Sequence, residues 1–433
     1  MSYGPTSPTI GQRGARTRER IVAETLGLFA RIGFHETTVR DISEAAEVSR
    51  ATLYQYFESK EEIFVELLDE CGGALLGVMR RIGPLGPSAE GFHNLRQWLV
   101  EWTEVYYKYG TLFVQWANVD LPGSAVRGLV SNFLRSYNLR IASRLRRSGL
   151  SGMDARAAAI VVTSVVHRFN YLRFVNQPAR PPTDEAVHDV SVVIQSILFP
   201  ETPTDILAAM RPGDLRDISY LSVARVPDAT DQRRPSRLDG LTTRSAATVR
   251  RIMDAGALCF SEDGYYSANV DDIVTRAGFA RGTFYKYFDE KLDLLLALSD
   301  ECENLLRELI AAFAAIPPGT EGSAQRRAWM KEFLQFRARY IGVMRTWIDQ
   351  WPRHALLGEA RGRMTAMVRD AVVVTVRTSP RRRVLSARAA EVLLIGILER
   401  LPDALADNAR RIRQDKLADL MATVLERGIY QVG

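Results

Sequence analysis

Cysteine is nearly absent from the 433 residues: Cys71, Cys259 and Cys302 are the only three. Three thiols cannot build a disulfide framework, and their scarcity predicts a reducing, cytoplasmic setting. Lysine is almost as rare, with six, so arginine supplies nearly all of the 57 Lys and Arg and the net charge is only +6. A pI near 9.2 permits an anionic partner without establishing one. Long hydrophobic runs are missing too. The longest, around Ala157–Val166, is interrupted by Thr163 and Ser164 and is too short to cross a bilayer. The first twenty residues hold no apolar stretch of a signal peptide, so no membrane partner is expected. The five histidines, His35, His93, His167, His188 and His354, never stand three or four apart, which excludes a helical metal pair. With no phosphate-binding glycine loop and no nucleophile elbow, the expectation is no enzyme, no catalytic residue, no metal and no cofactor.

What the chain does contain is itself, twice. Shifted by 231 positions, residues 20–64 fall on 251–295 without a gap, and fourteen of the 45 positions are identical. RIVAETLGLFARIGFHETTVRDISEAAEVSRATLYQYFESKEEIF lies over RIMDAGALCFSEDGYYSANVDDIVTRAGFARGTFYKYFDEKLDLL. Asp69-Glu70-Cys71 recurs as Asp300-Glu301-Cys302, and Trp98, Glu101, Tyr109 and Trp116 return as Trp329, Glu332, Tyr340 and Trp347. A nearly constant offset over most of the chain means tandem duplication rather than chance likeness between helices.

Periodicity is helical throughout. Ile21, Ala23–Leu26, Leu28 and Phe29 give one apolar face, closed by Gly33. Val161, Val162, Val165, Val166, Phe169 and Leu172 give another, and Val187, Val190, Ile194 and Leu198 a third. The predicted fold is all-α: two tandem helix-turn-helix heads, each on a helical body. The expected organisation is a disordered arm over 1–15, a head over 16–62 and a body over 63–200. A Pro-rich linker over 201–243, with one short helix near Leu215–Val223, precedes a second head over 244–293 and a second body over 294–433.

The repeated block has the shape of a groove reader. Thr38-Val-Arg-Asp41 is a capping box, and Asn269-Val-Asp-Asp272 caps the equivalent helix. After the turn Glu47-Val48, Ser49 caps a second short helix, Arg50–Phe57. Leu53 and Phe57, at i and i+4, point inward, which leaves Arg50, Ala51, Thr52 and Gln55 on exposed turns where donors reach base edges. Tyr54 and Tyr56 can put hydroxyls on phosphates, and Lys60, with its twin Lys291, adds an ammonium nearby. Head charge is no help: residues 16–62 carry seven basic and nine acidic side chains.

At this point ATLYQYFESKEEIF and GTFYKYFDEKLDLL, with TTVRDISEAAEVS and ANVDDIVTRAGFA before them, resemble the signature of TetR-type bacterial transcription regulators. The resemblance implies a three-helix head on a ligand-binding body, usually a homodimer, released from a double-stranded DNA operator by a small molecule. Carried over by position, the phosphate set is Thr38, Tyr54, Tyr56 and Lys60, with Asn269, Tyr285, Tyr287 and Lys291. The base-reading set is Arg40, Arg50, Ala51, Thr52 and Gln55, with Arg281, Gly282, Thr283 and Lys286.

The heads differ where reading would occur: Arg40 faces Asp271, Gln55 faces Lys286, and Ser49 faces Ala280. Asp271 would repel a phosphate or accept from a cytosine amine, so the expectation is one chain acting as an intramolecular pseudodimer on an asymmetric operator. Pairing of two chains as a homodimer is the competing arrangement. In the bodies, Trp98, Trp102, Tyr106, Phe113, Trp116 and His167, then Trp329, Phe333, Phe336 and Trp347, are candidates for lining a cavity for an apolar or amphipathic effector, with core packing as the alternative for each residue. Cys71 and Cys302 read as small hydrophobes more than as thiol sensors, and Arg381–Arg383 as a solvated loop. The expected function is a ligand-responsive repressor. The alternative is a small-molecule-binding protein with one or both heads inactive, the second being the more suspect.

Overall fold

Three of the four short helices of the heads begin where a side-chain oxygen can stand in for a missing helical turn. Thr38 Oγ1 accepts from the Asp41 N–H at 3.2 Å while the Asp41 carboxylate accepts from the Thr38 N–H at 2.8 Å, completing the expected capping box. Ser49 accepts from the Thr52 N–H at 3.0 Å, and Asn269 from the Asp272 N–H at 2.8 Å. Ala280 offers no side-chain cap.

The computed structural model describes residues 12–115, 125–176, 182–209, 233–349, 354–379, 384–408 and 413–430. The expected helix near Leu215–Val223, Trp116 and Arg381–Arg383 lie outside the described residues. Among those described, every regular element is helical, and no helix is long and apolar enough to cross a membrane. In chain order the first repeat runs α1 (Gln12–Ile32), α2 (Val39–Ala45), α3 (Arg50–Tyr54), α4 (Lys60–Arg81), α5 (Ala89–Gln115), α6 (Ala125–Arg147), α7 (Ala155–Asn176), α8 (Asp184–Leu198) and α9 (Thr204–Ala209). The second runs α10 (Thr243–Ser267), α11 (Val270–Ala277), α12 (Arg281–Tyr285), α13 (Lys291–Ala314), α14 (Ser323–Asp349), α15 (Ala355–Thr378), α16 (Ala387–Ile395), α17 (Leu401–Asn408) and α18 (Gln414–Leu425). Because α1 starts at Gln12, the last residues of the expected arm are helical.

The chain divides into two units, and the division is not the sequence repeat. The first unit takes α1–α9 together with the segment from Glu399 that contains α17; the second takes the rest. Within the first, α7 packs on α5 and α6, α8 on α5 and α7, and α17 on α7 and α6. The apolar stripe of α7 is buried as expected. On α8 burial exceeds the expected stripe, since every residue from Ala186 to Leu198 is covered, His188, Asp189 and Gln195 included. Gln195 Nε2 is satisfied there by Gly86 O and Thr202 Oγ1, each at 2.9 Å. On α1 the Ala23 expected in the apolar face is exposed, while Thr25 is buried with its hydroxyl donating to Ile21 O at 2.7 Å.

In the second unit α10 and α13 both lie against α14, and α13 also packs on α15. Here the duplicated bodies have parted ways. Gly72 on α4 lets the Phe133 ring of α6 come within 3.1 Å of where a Cβ would sit. Its equivalent, Glu303 on α13, is 1% exposed and receives Arg363 of α15 through two parallel bonds, Nε–Oε1 at 2.8 Å and NH2–Oε2 at 2.9 Å, with Arg307 at 3.2 Å. One copy joins these helices by apolar contact and the other by a buried ion pair. Removing one member of such a pair strands a buried charge at a cost of about 3–5 kcal/mol. Arg363→Met should therefore lower the stability of the second unit by roughly 3 kcal/mol in urea unfolding. A loss well under 1 kcal/mol would mean that Arg307, at 3.2 Å, and Arg234, at 3.7 Å, suffice for Glu303.

Candidate nucleic-acid interface

A five-residue helix cannot stand alone, so each reading helix is held from behind. Leu53 and Phe57 are essentially inaccessible, as are Phe284 and Phe288. Each inner ring is covered by a cation from a different part of the chain. The Arg18 guanidinium of α1 lies 4.8 Å from the Phe57 centroid, whereas Phe288 is covered at 5.3 Å by Arg237, which precedes α10 and also donates to Tyr287 O. The same pre-helical stretch is pinned to α13 by paired bonds to its backbone, Arg234 N to Asn304 Oδ1 at 2.8 Å and Asn304 Nδ2 to Arg234 O at 3.0 Å.

The turn between the paired helices needs a left-handed residue. Gly278 supplies it in the second head with φ 72°; the equivalent Glu47 adopts φ 51° despite its side chain. The first head's own sequence marks the turn at Glu47-Val48 but gives no sign of this strain. The signal was the glycine at the twin position.

With that frame set, the expected base readers fall on one exposed surface. Arg40, Arg50, Ala51 and Gln55 are exposed and Thr52 half-buried, its hydroxyl 2.8 Å from Ser49 Oγ in the cap. Arg40 is held by Glu44 on its own helix at 2.7 Å, and Arg50 has no ion-pair partner among the described residues. In the second head Arg281, Gly282 and Lys286 are exposed and Thr283 half-buried. Arg281 NH1 bonds Asp271 Oδ2 at 2.9 Å across the two helices, and its NH2 donates to Tyr285 Oη at 3.4 Å. Both groups favour the charged guanidinium and hold its pKa above the usual range, the Tyr285 bond more than Asp271. Asp271, expected to face DNA as a free carboxylate, is therefore already paired.

Of the expected phosphate contacts, Tyr54 and Tyr285 are the exposed tyrosines, at 55% and 47%. Thr38 and Asn269 are exposed caps. Tyr56 and Tyr287 are half-buried, and Tyr287 Oη donates to Ser245 Oγ at 3.4 Å. Lys60 and Lys291 have a different task. Lys60 Nζ donates to Phe34 O (2.8 Å), His35 O (3.1 Å) and Thr37 O (2.9 Å); Lys291 Nζ donates to Tyr265 O (2.7 Å), Tyr266 O (3.3 Å) and Ala268 O (2.7 Å). An ammonium has three N–H bonds, so neither lysine has one over for a phosphate in this arrangement. They clamp the chain behind the second helix of each head: the connection after α1 in the first, and in the second the stretch following Gly264, where α10 breaks with φ 80°. This explains why two of only six lysines recur at one position.

The expected effector residues separate into groups. Tyr106 stacks on Phe113 at 4.2 Å, and His167 lies 5.8 and 5.9 Å from those rings. Burial holds His167 well below the usual histidine range, with Arg400 and Arg168 acting the same way. The buried Tyr106 hydroxyl has no partner among the described residues. Trp98 stacks on Trp102 apart from these, and Trp329 on Phe333 in the same way. Trp329 and Trp347 satisfy their indole N–H groups on Leu309 O at 2.7 Å and Ser299 Oγ at 2.9 Å, as core residues do. A cavity of about 790 Å³ lies between Arg233, Arg237 and the helices α10, α13 and α14; of the second-body candidates Phe336 lines it and Trp329, Phe333 and Trp347 do not. Cys71 and Cys302 are buried, which pushes the Cys71 thiol up to about 12 and raises that of Cys302, so neither is a ready nucleophile. Among the described residues no group of three or more His, Cys, Asp or Glu could hold a metal ion.

Comparison with known proteins places the heads. The family described as bacterial regulatory proteins, tetR family, matches residues 21–67 and again 252–298. The HTH-type transcriptional repressor KstR2 of Rhodococcus jostii is 40% identical over 82 residues, 19% of this chain and 39% of that protein. The HTH-type transcriptional regulator TcmR of Streptomyces glaucescens is 36% identical over 83 residues, 19% of this chain and 36% of that protein. The biofilm operon negative transcriptional regulator IcaR of Staphylococcus epidermidis is 24% identical over 129 residues, 30% of this chain and 66% of that protein. The chain thus spans under two fifths of the length of the first two.

If the lysines are clamps, Lys60→Met should destabilise the first head by about 1–3 kcal/mol through stranded carbonyls, read by thermal unfolding. A lysine serving only as a phosphate contact would leave thermal stability untouched and lower DNA affinity alone.

Proposed function

We propose, from the premise that this chain carries the tetR-family DNA-binding domain twice, that it is a ligand-responsive transcription regulator, a repressor, in which one polypeptide supplies both heads of a pseudodimer. The observation that carries this reading is the pair of helix-turn-helix heads, alike in backbone and clamp and unlike in exposed side chains. Heads on a two-fold target must sit about one duplex turn apart, on the order of 35 Å, and unlike heads call for unlike half-sites. Support for intramolecular pairing comes from the segment beginning at Glu399: it belongs to the second repeat by sequence and groups with the first unit. Its Glu399 forms an ion pair with Arg168 of α7. In a single chain, pairing is independent of protein concentration.

The effector reading rests on Tyr106, Phe113 and His167, an apolar and aromatic setting with one unmatched hydroxyl. An apolar or amphipathic molecule carrying an acceptor would match that hydroxyl and its aromatic surroundings. Binding there would weaken the operator complex through a coupling free energy that acts equally in both directions.

The second reading, a small-molecule binder whose second head is silent, is favoured by one observation: α12 lacks a capping side chain. Selection of bound duplexes from random DNA, followed by footprinting, decides between them. The regulator reading expects one selected sequence with two different half-sites, protected on adjacent turns. Identical half-sites would refute the unlike heads. Arg50→Ala with Tyr54→Phe, and Arg281→Ala with Tyr285→Phe, should each lower affinity; no loss in the second of these double variants would establish the silent head.

Tyr106→Phe should raise apo stability by about 1 kcal/mol, because it removes an unpaired buried hydroxyl. The same change should blunt release from DNA by effectors. Unchanged stability would place a partner on that hydroxyl and remove it from the effector site.

A further inference from the structure

The duplicated heads carry different charges at one pair of positions. In the first head both are arginine, Arg40 and Arg50; in the second they are Asp271 and Arg281. Two arginines cannot pair, whereas the second head's residues close an ion pair across the two helices at 2.9 Å, with both side chains roughly 60% exposed. In the first, Arg40 turns back to Glu44.

An exposed ion pair is screened by water and contributes little to folding, so its effect on stability does not explain the arrangement. Its geometry has another use. A guanidinium is planar and carries five N–H donors. Asp271 and Tyr285 each take one, which leaves three free on a group whose orientation is now fixed from two sides. Arginine read against a base edge gives its commonest specific contact with guanine, whose O6 and N7 accept two parallel bonds in the major groove. A free arginine must give up rotamer freedom to do this; a braced one has given most of it up beforehand. Docking would also exclude water from the pair and strengthen it. Pairing solves a second problem, since a bare Asp271 at this surface would repel phosphates.

We infer that Asp271 is a positioning residue that aims Arg281 at one guanine, making this contact the specificity determinant of the second head. The first head, with Arg50 unbraced and Arg40 in place of the carboxylate, reads its half-site without that contact. The inference rests on the regulator reading above, and its test is separable from that reading.

The duplex selected by the wild-type chain is resynthesised with each base pair under the second head replaced in turn. Its affinity is then measured for the wild type, Asp271→Asn, Arg281→Ala and the double variant. One G·C pair should be preferred by the wild type by about tenfold or more. Arg281→Ala should abolish that preference, Asp271→Asn should remove most of it, and the double variant should lose no more than Arg281→Ala alone. Affinity for unrelated DNA should hold or rise in Asp271→Asn, since a negative charge is gone. The inference is overturned if Asp271→Asn keeps the G·C preference. It is equally overturned if Arg281→Ala weakens all duplexes alike and lowers the salt slope by about 1, the mark of a phosphate contact. A wild type that selects no duplex sinks the regulator reading itself. Both side chains are exposed, so circular dichroism should be unchanged in every variant.

Discussion

A helix of five residues closes too few hydrogen bonds to persist in water, and everything in these heads follows from that constraint. Two buried side chains one turn apart seat the helix, a cation lies over the inner ring, and a lysine ties down the connection behind it. Much of the surface left outside can then vary, because side chains such as Arg50, Gln55 and Lys286 are not among those that hold the helix in place. That separation of support from display lets duplicated heads keep one backbone and show two faces.

Much of this was legible in the sequence, and the reasons are local. Capping boxes, the i,i+4 seat of Leu53 and Phe57, and the left-handed Gly33 follow from rules about neighbours a few positions apart. The constant offset multiplied each signal by two. What escaped were contacts between residues far apart in the chain. Lys60 looked like a phosphate ligand because its three acceptors are backbone carbonyls, which no sequence advertises. Asp271 looked like a free carboxylate because its partner lies ten residues on, across a turn. The alignment held a hint in Arg40 over Asp271, a charge reversal beside an unchanged arginine. The strain at Glu47 was likewise visible only through its twin, Gly278.

The bodies show how duplicated helices diverge once they no longer need to match. Gly72 and Glu303 began as one position. One now admits an aromatic ring, and the other carries a charge that must be matched from the facing helix. These solutions do not mix: a ring against the carboxylate, or an arginine against the glycine, would leave a void or an orphan charge. The divergence fixes which helix can serve which body. The aromatic pairs at the equivalent positions Trp98–Trp102 and Trp329–Phe333 nonetheless remain stacked alike.

Arg18 and Arg237 perform one task from different places, and this decides where the gene can be cut. A fragment begun at α10, where helical periodicity starts, would keep every helix of the second unit and still lose the cation over Phe288 and the two bonds to Asn304. The second unit as an independent piece therefore begins at or before Arg233, inside what reads as spacer. Copying by duplication reproduced the helices; the cover over the ring was found anew in the join.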